Sequence, residues 1–185
     1  MPAGRTHDRI TLWGLPLIAS LTFLQTRSGN LTLIVAGAYL FSGLMFGPDL
    51  DLFSIQYKRW GFLRWIWLPY QKTLRHRSIL SHGLIVGTVL RVLYLGIWIA
   101  LAGVFGLGVA HLIWGVELSW QLLAEIGQRS LTQNAAEWIS LFLGLELGAM
   151  SHSLSDWGSS TYKRFSQNRA KMKKRKASAK LKRRK

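Results

Sequence analysis

Val92 to Val116 reads VLYLGIWIALAGVFGLGVAHLIWGV, a run without one formally charged side chain. A helix crosses about 30 Å of hydrocarbon with roughly 20 predominantly apolar residues, and this stretch exceeds that length. Working outward, Ser28 to Pro48 is also uncharged throughout. Thr11 to Thr26 is uncharged but short, and Pro16 is placed to bend it. Trp138 to about Ser155 carries Glu146 and His152, side chains that at membrane depth face protein or water rather than lipid. The expected fold class is therefore all-α, a polytopic membrane helical bundle of about four transmembrane helices. Arg5 and Arg9 before the first stretch resemble the start of a signal peptide, but no small-residue cleavage site follows Leu24, so the stretch is read as a span.

Four crossings place both termini on one side of the membrane, together with the connection from Asp49 to His82. Arg5, Arg9, Lys58, Arg59, Arg64, Lys72, Arg75 and Arg77 fall on that side, while Arg27 and Arg129 fall on the other. Such an excess of basic residues marks the cytoplasmic face. Arg91 lies inside the third span, where its guanidinium is expected to reach back to the interface. YKRWGFLRWIWLPY, Tyr57 to Tyr70, mixes tryptophan with basic residues in the manner of a headgroup-level segment, and is expected to float on the cytoplasmic surface. The connection Glu117 to Glu137 is expected to form a short surface helix.

Net charge is +16, but 13 of the 24 Lys and Arg residues lie between Lys163 and Lys185, without which +3 remains. The expected organisation is thus a membrane-embedded helical metal-binding domain over residues 1–160 and a disordered polybasic cytoplasmic tail over 161–185. The tail suits anionic headgroups of the lipid bilayer, at about 1 kcal/mol per basic residue near the surface, with a protein complex or nucleic acid as the alternative partner. No cysteine is present, which excludes disulfides, thiolate metal sites and cysteine nucleophiles.

The remaining polar residues are concentrated. Asp8, Asp49, Asp51 and Asp156 all lie beside expected cytoplasmic helix ends, as do His7, His76, His82 and His152. His152 and Asp156, four apart, project from one helical face and can offer two donors to one metal. His76 and His82 bracket the start of the third span, where Ser81 is a suitable N-cap. Asp49 and Asp51 follow the helix-ending Gly47 and Pro48. His7 and Asp8 are adjacent, and Asp8 could instead cap the first helix. Carboxylates beside imidazoles form a donor set for a divalent metal, zinc first and manganese or iron as alternatives.

THDRIT, FGPDLD, HRSILSHG and MSHSLSD, taken together from Thr6 to Trp157, resemble a family of uncharacterised metal-binding membrane proteins. That family is similar to inner-membrane metal-dependent hydrolases with a PDxD, HRxxTHS and SHxxxD pattern; here Ser81 and His82 stand for the threonine and histidine, and Gly83 replaces the serine. The resemblance implies metal-ligand roles for Asp49, Asp51, His76, His82, His152 and Asp156, with His7 and Asp8 in addition. The function expected is a metal-dependent hydrolase acting at the cytoplasmic interface on a phosphoester or lipid-like substrate, with Asp51 or Asp156 taking the proton from water. The alternative is a non-catalytic assembly protein whose metal staples the helix ends and which recruits a partner complex. A phosphatidate-type phosphatase is disfavoured, because neither a Pro-Ser-Gly element nor an arginine-proline phosphate clamp is present.

Overall fold

The computed structural model describes residues 4–74, 78–115 and 119–182. Among them the chain is helical, with no strand. The long helices are α1 (Gly4–Thr26), α2 (Gly29–Leu44), α6 (Val86–Trp114), α7 (Trp120–Gln133) and α8 (Ala135–Lys182), with the short helices α3 (Ile55–Arg59), α4 (Leu68–Thr73) and α5 (Ile79–His82) between α2 and α6. Two 3₁₀ turns, Pro48–Asp51 and Gly61–Trp67, complete that connection. Serines set several starts: Ser28, Ser54 and Ser119 each accept a backbone N–H from the first turn of α2, α3 and α7.

Helix α2 is the axis of the molecule, packed against α8 on one side and α1 on another. Small residues allow the approach. A Cβ at Gly144 would lie 2.5 Å from the Val35 carbonyl oxygen, and one at Gly148 would lie 2.5 Å from that of Tyr39. Gly144 and Gly148 form a small-x-x-x-small stripe, which lets the two helix backbones touch. On the other side, Gly43 gives the same clearance to Thr11 of α1.

The segment from Ile55 to Thr73 does not float. It closes the C-terminal end of α2, whose last carbonyls have no partner within the helix. Gln56 Nε2 donates to the Gly43 carbonyl (3.0 Å), Arg59 to that of Leu44 (2.8 Å) and Trp60 Nε1 to that of Met45 (2.9 Å). Trp67 is fully buried, ringed by Phe46, Trp60, Tyr70 and Tyr94. Its neighbours Phe62, Leu63 and Trp65 remain exposed. The segment thus buries one face against the helices and presents the other, where the expectation for Tyr57 to Tyr70 was a segment floating on the cytoplasmic surface.

Two helical stretches among the described residues are long and apolar enough to cross a membrane, Gly29–Asp51 and Val86–Trp114. The first and fourth expected spans are not among them: α1 opens on Arg5, His7, Asp8 and Arg9, and α8 interrupts its apolar run with Glu146 and His152. Arg91 does not reach back to an interface. Its side chain is buried and donates to the Ser81 carbonyl (3.0 Å) and to Thr88 Oγ1 (2.9 Å). Ser81 does not cap α6, whose first residue follows Ile85. The tail expected to be disordered continues α8 as helix to Lys182, because nothing after Gly158 breaks it: no Gly or Pro follows, and Ala, Lys and Arg favour helix.

Candidate metal centre

Histidine and aspartate side chains from α1, the Pro48–Asp51 turn, α5 and α8 meet beyond the C-terminal end of α2. Each is placed by a local reason. His7 lies one turn before Thr11, the α1 residue that seats on Gly43. Pro48 begins the 3₁₀ turn that carries Asp49 and Asp51, and Gln71 Nε2 fixes that turn by donating to the Leu50 and Leu52 carbonyls (3.0 and 2.9 Å). His82 ends α5, which starts with Ser78 Oγ accepting from Ser81 N. His152 and Asp156 follow Gly148 on α8, one and two turns on.

Two sets of donors result, His7, His152 and Asp156, and Asp49, His82 and Asp156; within each, the donor atoms lie within 4.8 Å of one another. His7 Nε2 is 3.3 Å from Asp156 Oδ1, His152 Nε2 is 3.1 Å from Asp49 Oδ2, and His82 Nε2 is 3.9 Å from Asp49 Oδ1. Two ligands on a tetrahedral zinc, bonded at about 2.0–2.2 Å, stand roughly 3.3–3.6 Å apart, a spacing that the 3.3 Å between His7 and Asp156 matches. The contact between His152 and Asp49 is short enough for a hydrogen bond, yet His152 Nε2 is not aligned for one. The two side chains belong to different donor sets, and their approach brings the two sets side by side.

Burial agrees with that donor role. The His7 and His152 side chains are buried and their rings stack with centroids 4.0 Å apart. Burial holds the His7 imidazole below its ordinary range; His152 acts in the same direction, against the opposite pull of Asp156, Asp49 and Asp8. The neutral ring, with a lone pair to give a cation, is favoured. Ser81 Oγ lies 2.9 Å from His82 Nδ1, a hydrogen bond that orients the ring and leaves Nε2 to the centre.

Of the eight residues expected from the sequence, the structure brings together His7, Asp49, His82, His152 and Asp156. Asp51 stands behind them: its side chain is fully buried, 4.0 Å from His82 Nδ1, on the side away from the donor atom Nε2. Asp8 is held elsewhere, by both guanidinium nitrogens of Arg59 at 2.9 and 2.6 Å. His76 lies outside the described residues. Sequence reasoning missed Arg59, which it counted only as a cytoplasmic charge, and Gln71, whose role depends on a contact 21 residues back.

The fold and this cluster define a class, a helical protein that gathers imidazoles and carboxylates from four elements into a cluster able to hold a metal ion. Residues 2–166 match the family model described as "uncharacterized metal-binding protein (DUF2227)", and the chain belongs to that family. It is also similar to an uncharacterized protein of Aquifex aeolicus (strain VF5), 41% identical over 58 residues that make up 31% of this chain and 40% of that protein. The matched part is therefore less than half of that relative. No solved structure matches the chain.

Proposed function

We propose that the protein is a metal-dependent hydrolase of the membrane interface, cleaving a phosphoester or lipid-like substrate from the cytoplasmic side. The observation that carries this reading is that Asp156 belongs to both donor sets, so the residues present could hold one cation or two close together. Zinc is the first choice, with manganese or iron as alternatives, since the donors are imidazole and carboxylate with no thiolate. A bound divalent cation lowers the pKa of water and polarises an ester oxygen. In this scheme the chain's own groups divide the remaining work. Asp156 would serve both donor sets, Asp51 and Ser81 keep His82 oriented, and buried His7 and His152 close the inner side of the centre to solvent. The similarity to inner-membrane hydrolases with the PDxD and SHxxxD pattern points the same way. The basic stretch from Lys163 lies against anionic headgroups in this reading, with nucleic acid as the alternative.

The test is metal analysis of detergent-purified protein followed by assay on phosphodiester, phosphomonoester, carboxylic ester and amide panels. Metal bound at one or two per chain, with chelator-sensitive turnover of at least one phosphoester, is the expected result. Stoichiometric metal without turnover on any panel would exclude the hydrolase and favour a second reading, a metal-stapled assembly protein. That alternative is favoured by the donors coming from four separate elements, so that a cation ties together helices distant in sequence.

A further inference from the structure

Ile85 occupies a backbone conformation that side chains of its kind rarely adopt, with φ 64° and ψ −56°. Val86 N donates to the Leu84 carbonyl at 2.7 Å, closing a three-residue γ-turn of the strained hand. A β-branched residue at positive φ persists only where its surroundings hold it there. What holds it is remote in sequence. Glu146 Oε1 accepts the Ile85 N–H at 2.9 Å, from 61 residues away on α8.

The position of this bond gives it consequence. Ile85 lies three residues after His82, in the turn from α5 into α6. Glu146 lies on α8, six residues before His152. The bond therefore fastens the turn bearing one donor of the centre to the helix bearing two others. Nearby packing is equally close: Arg91 reaches the Ser81 carbonyl, and a Cβ at Gly87 would come within 2.8 Å of that same oxygen. Ser81, His82, Arg91 and Glu146 line one cavity of about 10 Å³, so the strained turn, the histidine and the carboxylate share a single small space. Glu146 is buried, and a buried carboxylate costs free energy unless it is bonded, as Oε1 is here to Ile85 N–H.

We propose that Glu146 is a positioning residue of the metal centre, holding the Ile85 turn in its strained form so that His82 faces Asp49 and Asp156. The inference rests on the metal-binding part of the proposed function and is independent of whether the centre hydrolyses anything.

Cobalt(II) titration of detergent-purified full-length protein tests it, because the visible d–d spectrum reports the ligand set as well as the affinity. Glu146→Ala is expected to weaken cobalt binding by at least about tenfold, as removal of outer-shell partners does, and to alter the spectrum. Glu146→Gln, whose amide oxygen can still accept the Ile85 N–H, is expected to stay within about threefold of the parent protein, well below that outer-shell loss. Adding Ile85→Gly to Glu146→Ala is expected to recover most of the loss, since glycine adopts positive φ without strain. Parent-like affinity and spectrum in Glu146→Ala would overturn the positioning role alone, as would Glu146→Gln damage equal to that of Glu146→Ala. A parent protein that binds no cobalt would overturn both the role and the centre. Should Glu146→Ala fail to fold, Glu146→Gln decides: retained binding supports the role and lost binding overturns it.

Discussion

Asp8 and His152 show how differently two polar residues of the same region are used. Asp8 spends both oxygens on Arg59, in a pair about a quarter to a third exposed, whereas His152 is buried and has two ring nitrogens without hydrogen bonds among the described residues. Asp8→Ala is therefore expected to leave metal content unchanged and to cost about 1 kcal/mol of stability, the scale of a partly exposed ion pair with good bidentate geometry. His152→Ala is expected to lose at least one metal per chain. Elemental analysis and thermal melting of both variants check the pair; loss of metal in Asp8→Ala would return that residue to the centre. The difference was only partly legible in the sequence. The four-residue spacing of His152 and Asp156 fixes a common helical face, so that half of the centre could be read directly. Nothing in the adjacent pair His7 and Asp8 says that one turns to the centre and the other to Arg59, because the deciding contact spans 51 residues. Asp51 was read as a ligand through the PDxD resemblance, and its two-residue spacing from Asp49 does not by itself say which carboxylate of a tight turn joins the donor sets.

At the scale of elements, the packing of α8 on α2 depends on the absence of side chains. Gly148→Ala sets a methyl group 2.5 Å from the Tyr39 carbonyl oxygen and 2.7 Å from Ser42 Cβ, closer than real contacts allow, so the helices must part. Overpacking of this kind costs about 1–3 kcal/mol. Gly103→Ala in α6 meets nothing within 4 Å and is expected to gain up to about 1 kcal/mol of helix propensity, which makes it the matched control. Thermal melting in detergent should move the two variants in opposite directions; equal effects would mean that α2 and α8 do not hold the molecule together. The helices themselves were well marked in the sequence, since long apolar runs carry their own signal. The stripe of Gly144 and Gly148 was present but unread, overshadowed by Glu146 between them. The segment Tyr57 to Tyr70 was read for composition, which suits an interface, while the hydrogen bonds of Arg59 and Trp60 to the end of α2 depend on tertiary structure and leave no periodic trace.

For the whole molecule, the register of α1 and α8 on α2 bears on how many helices cross a membrane. Along α8, Gly144 meets Val35 and Gly148 meets Tyr39 and Ser42, so the two helices run parallel; Thr11 meets Gly43 and Gly14 meets Tyr39, so α1 runs the other way. If α2 crosses the bilayer, these neighbours occupy the same depth beside it and cross with it. That geometry supports four crossings, although only Gly29–Asp51 and Val86–Trp114 are apolar enough to be recognised alone. Helices α1 and α8 turn His7, Glu146 and His152 onto protein, as any helix crossing with α2 would have to. The chain has no cysteine, so single cysteines at the exposed positions Thr73, Gln128 and Ser166 can be probed without background. Four crossings place Thr73→Cys and Ser166→Cys on the cytoplasmic face and Gln128→Cys on the opposite one. Two crossings, through α2 and α6 alone, would instead group Ser166 with Gln128. Labelling with a membrane-impermeant maleimide in intact and inverted vesicles separates these outcomes. Modification of Thr73 and Ser166 in inverted vesicles only, with Gln128 modified in intact vesicles only, is the result expected. It would also fix the side from which a substrate reaches the metal centre, since Asp49 and Asp156 lie at the end of the bundle to which both cytoplasmic probes belong.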